Sequence, residues 1–222
     1  MSSDHATQMR AVGDATRQSA RAVEDAPALS AAPALLEVLG KRLHEPRFGL
    51  PFAAAHHGAQ CAALALRAGA DEETVPACLL HDVAMGLNRS DHGWWGAQLI
   101  EPYVSERVSW GVRYHQALRF YPDESVGYEY PQMYHTMFGA DYKPPAYIEA
   151  AYRHARNHPW YMIARQVTMY DDYSFDPSVA CTLDPFVDIV GRHFRQPKEG
   201  LGNDSGATAH MWRTLIDPSK PL

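Results

Sequence analysis

Apolar positions recur at intervals of three and four residues along most of the chain, which is the spacing of an amphipathic helix. The clearest case covers residues 52–68, where Cys61, Leu64 and Ala65 share one face. Gly69 is a suitable stop for this helix, and Asp71 is a suitable N-cap for the next one. No stretch alternates apolar and polar residues convincingly enough for a sheet, so the pattern predicts an all-α fold.

The same spacing predicts several further helices, which are separated by breaks that contain Gly or Pro. Residues 122–144 are rich in Pro, Gly, Tyr and Met, and we expect them to form an irregular excursion of the chain. A loop this long inside a compact domain is usually functional or mobile. The remaining helices are predicted from Pro33 to about 44, from Ser90 or Asp91 to about 100, from a Ser105 cap to about 121, and over 145–157, 159–173 and 179–194.

Periodicity also divides the chain into three parts. Residues 1–32 lack an apolar stripe and are expected to be weakly ordered, residues 33–195 form the predicted helical bundle, and residues 196–222 form a predicted tail. The first thirty residues contain no apolar core of a signal peptide. No run in the chain approaches the roughly 18 apolar residues of a membrane span. We therefore expect a cytoplasmic protein.

Composition narrows the classes of function. The chain has 222 residues, of which 46% are apolar, and this is enough for a sizeable core. The formal net charge is −6, and no Lys/Arg run is long enough to follow a phosphate backbone, so a nucleic acid polymer is not an expected partner. The three cysteines match no CxxC metal site, and their odd number indicates reduced thiols.

Twelve histidines are unusually many for this length, and several of them fall on successive predicted helices. Two antiparallel helices joined at Gly69 would place a histidine near residue 57 opposite the adjacent His81 and Asp82. Imidazole and carboxylate groups are ligands for Fe, Mn, Zn or Co, and six of them on five helices suit two metal ions in a bundle core. The candidate ligands are His57, His81, Asp82, His92, His115 and Asp171, with His56 as the alternative to His57 and Asp172 as the alternative to Asp171.

Each candidate taken singly has an ordinary explanation. A lone histidine is more often a surface or core residue than a ligand, and a His-Asp dipeptide occurs in many proteins by chance. The six residues together favour a metal site more strongly than any one of them does, because burying so many polar side chains without a metal ion would be costly.

The local segments around these residues resemble the HD-domain superfamily. The resemblance is closest to the HD-domain oxygenases with a mixed-valent diiron centre, the type of myo-inositol oxygenase and 2-amino-1-hydroxyethylphosphonate dioxygenase. It covers roughly residues 50–175, and the segments that carry it are 57–62, 79–83, 92–99, 112–121 and 170–172.

The resemblance implies a role for each matching residue. His57, His81, Asp82 and Asp171 would hold one iron, and Asp82 would bridge to a second iron held by His92 and His115. Arg119 stands where the phosphonate enzymes of this family have a substrate-binding lysine. The alternative for Arg119 is a solvated helix residue.

The chain also departs from the pattern of the family. Met85 stands where the second histidine of His-Asp-x-x-His is common, and Thr168 stands where an arginine is expected. The connection between His81 and His92 is short, and the segment before His57 lacks the Tyr and Glu pair that covers the phosphonate site. These departures leave the ligand set intact and place a phosphonate substrate in doubt.

Three functions therefore follow as expectations. The first is an oxygenase with two Fe ions, Fe(II)/Fe(III), that uses O₂ to oxidise or cleave a small polar, anionic substrate, with Asp82 and Arg119 as catalytic residues. The second is a phosphohydrolase that uses Mn, Co or Mg, with Arg119 or Arg165 on the phosphate. The third is a binding or scaffold protein with a structural metal or none. The candidate substrate contacts are Arg119, Tyr114, Met85 and Arg165.

Overall fold

The computed structural model describes residues 54–85, 88–176, 178 and 182–195. These residues all belong to one compact unit, Ala34–Arg195. Within them the secondary structure is helical and no strand occurs, which confirms the predicted all-α fold. An isolated bridge joins Asp123 and Tyr128. The predicted helix over 33–44, the weakly ordered segment 1–32, the tail 196–222 and Cys181 lie outside the described residues.

Eight α-helices and two short 3-10 turns make up this part of the chain. None of the described helices has both the length and the apolar character that crossing a membrane requires. The helices are α1 (Ala54–Arg67), α2 (Thr74–Leu80), α3 (His92–Ile100), α4 (Glu106–Leu118), α5 (Gln132–Phe138), α6 (Ala146–Arg156), α7 (Tyr161–Asp172) and α8 (Val187–His193), and the 3-10 turns are Glu124–Val126 and Asp184–Phe186.

Two helix ends form as the local sequence predicts. Gly69 adopts a positive φ of 66° just after α1, and the N–H of Ala70 donates to the carbonyl of Ala65 at 3.0 Å. The αL conformation of Gly69 ends the helix, and the N–H of Ala70 thereby reaches a carbonyl that has no partner inside α1. At the start of α4, the Ser105 side chain accepts the N–H of Val108, as an N-cap does.

Two predicted elements differ from the observed ones. The excursion over 122–144 contains the helix α5, although Tyr134 is its one buried residue. The final helix begins at Val187, after a 3-10 turn, instead of near residue 179. Both segments are short and mostly exposed, so their apolar periodicity is too weak to predict α5 or to define where α8 begins.

The helix α4 lies at the centre of the described bundle. It packs most extensively against α7 and α3 and also contacts α2 and α6, whereas α1 packs on α2 and α7. Val108 and Val112 of α4, Ile163 of α7 and Leu80 of α2 are fully or almost fully buried. The ends of α2 and α7 therefore lie among α1, α3 and α4, the three helices that carry candidate histidines.

Two glycines set how closely these helices approach one another. A Cβ atom at Gly58 of α1 would lie 2.6 Å from the carbonyl oxygen of Leu79 in α2. A Cβ atom at Gly93 of α3 would lie 3.0 Å from the carbonyl oxygen of Val112 in α4. Each glycine directly follows a candidate ligand, so backbone contact is closest where the histidines point inward.

Candidate metal centre

The structure brings all six predicted metal ligands into one buried cluster. Five helices contribute to it, and each candidate lies within a helix, at its first or last turn, or directly after it. No member of the cluster is more than 5% exposed. They are His57 in α1, His81 and Asp82 after α2, His92 at the start of α3, His115 in α4 and Asp171 at the end of α7.

One end of the cluster is formed by His57, His81 and Asp171. The Nε2 atom of His57 lies 2.9 Å from Oδ1 of Asp171 and 3.2 Å from Nε2 of His81. The Nε2 atom of His81 lies 3.5 Å from the same Asp171 oxygen. One ligand atom from each of the three residues falls within 4.8 Å of the others, so this group could hold a metal ion.

The other end of the cluster is built around Asp82. Its Oδ1 atom lies 3.2 Å from Nε2 of His92 and 3.5 Å from Nε2 of His81, and its Oδ2 atom lies 3.7 Å from Nε2 of His57. The Nε2 atoms of His92 and His115 are 3.2 Å apart. His81, Asp82 and His115 meet the same 4.8 Å spacing, which makes a second group that could hold a metal ion. Asp82 therefore lies between the two ends.

Backbone carbonyls orient the four imidazoles. The Nδ1 atoms of His81, His92 and His115 lie 2.6, 3.0 and 2.6 Å from the carbonyl oxygens of the residues three positions before them. The Nδ1 atom of His57 lies 3.0 Å from the carbonyl of Ser174. A carbonyl can only accept, so each Nδ1 carries the proton and each neutral ring has its lone pair on Nε2, facing the cluster. Metal-binding histidines commonly donate their other ring N–H to an acceptor in this way, which holds the ring in one orientation.

Burial keeps most of the imidazoles of the cluster neutral. Burial lowers the pKa of His57 to about 4 and lowers the pKa values of His92 and His115. Burial acts in the same sense on His81, but the Asp82 carboxylate outweighs it and raises the pKa of His81 to about 9. The same pairing lowers the pKa of Asp82, so a metal ion would compete with a proton for Nε2 of His81.

One buried oxygen without a hydrogen-bond donor indicates whether the cluster suits a metal ion. Oδ1 of Asp82 is buried and accepts no hydrogen bond from the described residues. Buried carboxylate oxygens without partners are rare, because the lost hydration is costly. Imidazole nitrogen lone pairs and carboxylate oxygens are the donors that Fe, Mn, Co and Zn prefer, so this donor set fits a metal ion.

The two adjacent aspartates at the end of α7 have different surroundings. Asp171 directs Oδ1 to the histidines and accepts an ion-pair hydrogen bond from Arg119 at Oδ2. Asp172 accepts the hydroxyl of Tyr128 at 2.6 Å and that of Tyr134 at 2.9 Å. The structure therefore brings Asp171, and not Asp172, to the cluster.

The structure also decides between the two adjacent histidines of α1 as candidate ligands. His56 is half-buried, and its Nε2 atom accepts the side-chain amide of Gln60 at 3.0 Å. His57, one residue later, points into the cluster. The Nε2 of His56 is thus directed along its own helix, to the side chain one turn later.

The four predicted substrate contacts divide between the cluster and other places. Arg119 reaches the cluster through Asp171, and Met85 is half-buried in the turn that follows Asp82. Tyr114 instead faces a cleft of about 490 Å³ between α3, α4 and α6. Arg165 is fully buried. Its guanidinium donates to the carbonyls of Leu118 and Tyr121 and to the Tyr161 hydroxyl, so it stabilises the end of α4.

Two residues next to His57 were not predicted from the sequence. Ser174 offers its carbonyl and its hydroxyl oxygen at 3.0 Å from Nδ1 of His57, and the Phe175 ring stacks on the His57 ring at 4.4 Å. Both residues follow α7 in an irregular segment where no periodicity applies. A polar side chain three positions after Asp171 is the single local signal that could have identified Ser174.

Comparisons with known proteins do not extend this description. No protein-family model matches the chain, and no curated protein matches it. The buried cluster of histidine and aspartate side chains is accordingly the basis for assigning a function.

Proposed function

We propose that this protein is a non-haem diiron oxygenase of the HD-domain type, which uses O₂ to oxidise or cleave a small polar, anionic substrate. The observation that carries the proposal is the convergence of four imidazole Nε2 atoms and two buried carboxylates at the ends of five helices. The order of these ligands along the chain is that of the family which the sequence resembles.

Two metal ions suit the donor set better than one. The pairs His57–Asp171 and His92–His115 lie at opposite ends of the cluster, and Asp82 presents one oxygen toward each end. A carboxylate with two available oxygens can bridge two ions. His57, His81 and Asp171 would hold one ion, His92 and His115 would hold the other, and Asp82 would link them. Bound iron would supply the redox chemistry that the protein side chains lack.

The substrate-binding role falls to Arg119. Its Nε atom is buried and donates no hydrogen bond to the described residues, while its guanidinium is paired with Asp171. Its side chain is 16% exposed. An anionic substrate group would accept the free Nε–H and would be held beside the metal ligand Asp171.

The remaining residues would orient the ligands and keep water out. The backbone carbonyls that accept Nδ1–H keep each imidazole in one orientation, so the lone pairs stay aimed without reorganisation during reaction. The Phe175 ring covers one face of His57. Excluding water from such a site prevents side reactions of reactive intermediates.

Metal analysis of protein purified without oxygen tests the proposal. We expect about two irons per chain, a mixed-valent EPR signal after partial oxidation, and O₂ uptake with one of a panel of small acids, polyols, amines and phosphonates. An iron-free protein that is active with Mn and releases phosphate from esters or nucleotides would overturn the oxygenase assignment in favour of a phosphohydrolase.

The variant Arg119→Met separates substrate binding from metal binding. It should keep the iron content of the wild type, because Arg119 donates no ligand, and lose substrate-dependent O₂ uptake by at least about tenfold. Unchanged KM and kcat in this variant would remove Arg119 from the substrate site.

A further inference from the structure

We propose that Tyr128, Tyr134 and Asp172 are positioning residues of the metal centre, and that they couple metal binding to the ordering of α5. The inference rests on the proposed function only in taking Asp171 as a metal ligand. It concerns residues to which the proposed function assigns neither metal nor substrate.

Asp172 connects the excursion 122–144 to the ligand helix α7. It is the last residue of α7 and directly follows Asp171. Both oxygens of its carboxylate accept tyrosine hydroxyls, Oδ2 from Tyr128 and Oδ1 from Tyr134. Hydrogen bonds to a carboxylate are stronger than those between neutral groups. The orientation of the end of α7, and with it the aim of Asp171, therefore depends on two residues of the excursion.

The attachment of α5 is narrow. Tyr134 is the one buried residue of this seven-residue helix, whereas Met137 is 60% exposed. The Tyr134 and Phe138 rings each lie 6.1 Å from the Phe120 ring, which is a loose aromatic contact. A short helix held by one buried side chain has little tertiary stabilisation, so the bond between Tyr134 and Asp172 is a large part of what holds α5 in place.

The base of the excursion is held more firmly. Tyr128 packs its ring against the buried guanidinium of Arg165, 4.6 Å from the ring centroid, and Asp123 accepts the hydroxyl of Tyr161. Asp123 and Tyr128 also form two backbone hydrogen bonds, at 2.8 and 3.0 Å. Tyr128 therefore belongs to the firmly held start of the excursion, and Tyr134 belongs to the less firmly held helix α5.

Coupling follows from this geometry. A metal ion bound by Asp171 restrains the end of α7 and therefore holds Asp172 in position for Tyr134, which lowers the cost of ordering α5. By thermodynamic reciprocity, the factor by which metal binding favours the ordered α5 is the factor by which the ordered α5 favours metal binding, so loss of the Tyr134 bond weakens metal binding by up to that factor.

The test measures Mn²⁺ affinity and amide hydrogen exchange in the full chain. We expect Mn²⁺ to slow exchange in peptides covering 132–138 of the wild type. In Tyr134→Phe the exchange of these peptides should be faster without metal, and Mn²⁺ affinity should fall by about tenfold, the lower end of effects from residues behind a metal ligand. The variant Asp172→Asn should show the same two changes.

Tyr130→Phe is the matched control. Tyr130 lies in the same excursion, and its hydroxyl forms no hydrogen bond with the described residues, so this variant should keep wild-type exchange and affinity. Equal Mn²⁺ affinity in folded Tyr134→Phe and Tyr130→Phe would overturn the coupling while leaving the metal centre in place. A wild type that binds no Mn²⁺ and no iron would overturn the proposed function as well, and the exchange of metal-free Tyr134→Phe would then report on the attachment of α5 alone.

Discussion

Oδ1 of Asp82 lies 3.2 Å from Nε2 of His92, and Oδ1 accepts no hydrogen bond from it or from any other described residue. The reason lies on the other side of the ring, where Nδ1 of His92 is 3.0 Å from the carbonyl of Arg89 and must carry the ring proton. Two electron-rich atoms thus face each other in a buried space. A cation between them would turn this unfavourable contact into a favourable one.

Replacing Asp82 should separate metal binding from folding. In Asp82→Ala the carboxylate between the two ends of the cluster is gone, so we expect metal loading to be abolished while far-UV circular dichroism stays close to that of the wild type. The measurement is metal content per chain after anaerobic reconstitution. Asp91→Ala is the control, because Asp91 precedes α3 without capping it through its side chain. An Asp82→Ala protein with the full metal content would remove Asp82 from the bridge.

The contact between α1 and α2 should tolerate no side chain at Gly58. In Gly58→Ala the new Cβ would lie 2.6 Å from the carbonyl oxygen of Leu79, so the helices must separate. We expect a loss of about 1–3 kcal/mol in the free energy of unfolding, measured by urea denaturation.

Gly191 of α8 offers the matched control, since a Cβ there meets no atom within 4 Å. Gly191→Ala should be neutral or stabilise by up to about 1 kcal/mol, because alanine favours a helix over glycine. A Gly58→Ala protein as stable as Gly191→Ala would contradict the close approach of α1 and α2.

Arg165 should act on stability. Its side chain is fully buried and donates to the carbonyls of Leu118 and Tyr121, so Arg165→Met would leave these acceptors without their donor. We expect a loss of about 3–5 kcal/mol in the free energy of unfolding. Arg153→Met is the control, because Arg153 is 72% exposed in its pair with Glu149 and should cost less than about 0.5 kcal/mol. Equal Tm values for the two variants would contradict the structural role.

The ion pairs of Arg107 should make stability depend on acid pH. Its guanidinium lies 2.7 Å from Asp71 and 2.6 Å from Glu73. The hydrogen bond from Arg107 lowers the pKa of Asp71 below its ordinary 3.8. Burial opposes ionisation of Glu73, but its bonds with Ser105 and Arg107 outweigh burial and lower its pKa below 4.5.

Carboxyls with lowered pKa values in the folded state stabilise it above their unfolded pKa, and this contribution is lost as the pH falls through the folded values. Arg107→Gln should therefore be less stable than the wild type at pH 7, by about 1 kcal/mol or less because the pairs are partly exposed. The difference should shrink as the pH falls from about 4.5 towards 3, as measured by urea denaturation across this range. A difference that stays constant across it would exclude these pairs as its source.

Local sequence was sufficient for the class of fold and for most helix ends. The stop at Gly69 and the cap at Ser105 depend on a few neighbouring backbone atoms, so residue type alone predicts them. The helix α5 was missed because a single buried residue leaves no apolar period to detect. The helix α8 is shorter than predicted because part of the apolar pattern used to predict it belongs to the 3-10 turn Asp184–Phe186.

The six candidate ligands could be chosen from the sequence because their order and spacing distribute them over five predicted helices. Tertiary packing decided which of two adjacent groups points inward. His57 does so instead of His56 because α1 presents that face to α2 and α7. Asp171 does so instead of Asp172 because two tyrosines, 38 and 44 residues away, donate their hydroxyls to the Asp172 carboxylate. Side chains one residue apart on a helix point about 100° apart, so only the neighbouring helices determine which one enters the core. The position of Arg165 has the same cause, because a charged residue becomes buried where the packed helices supply enough acceptors for its donors.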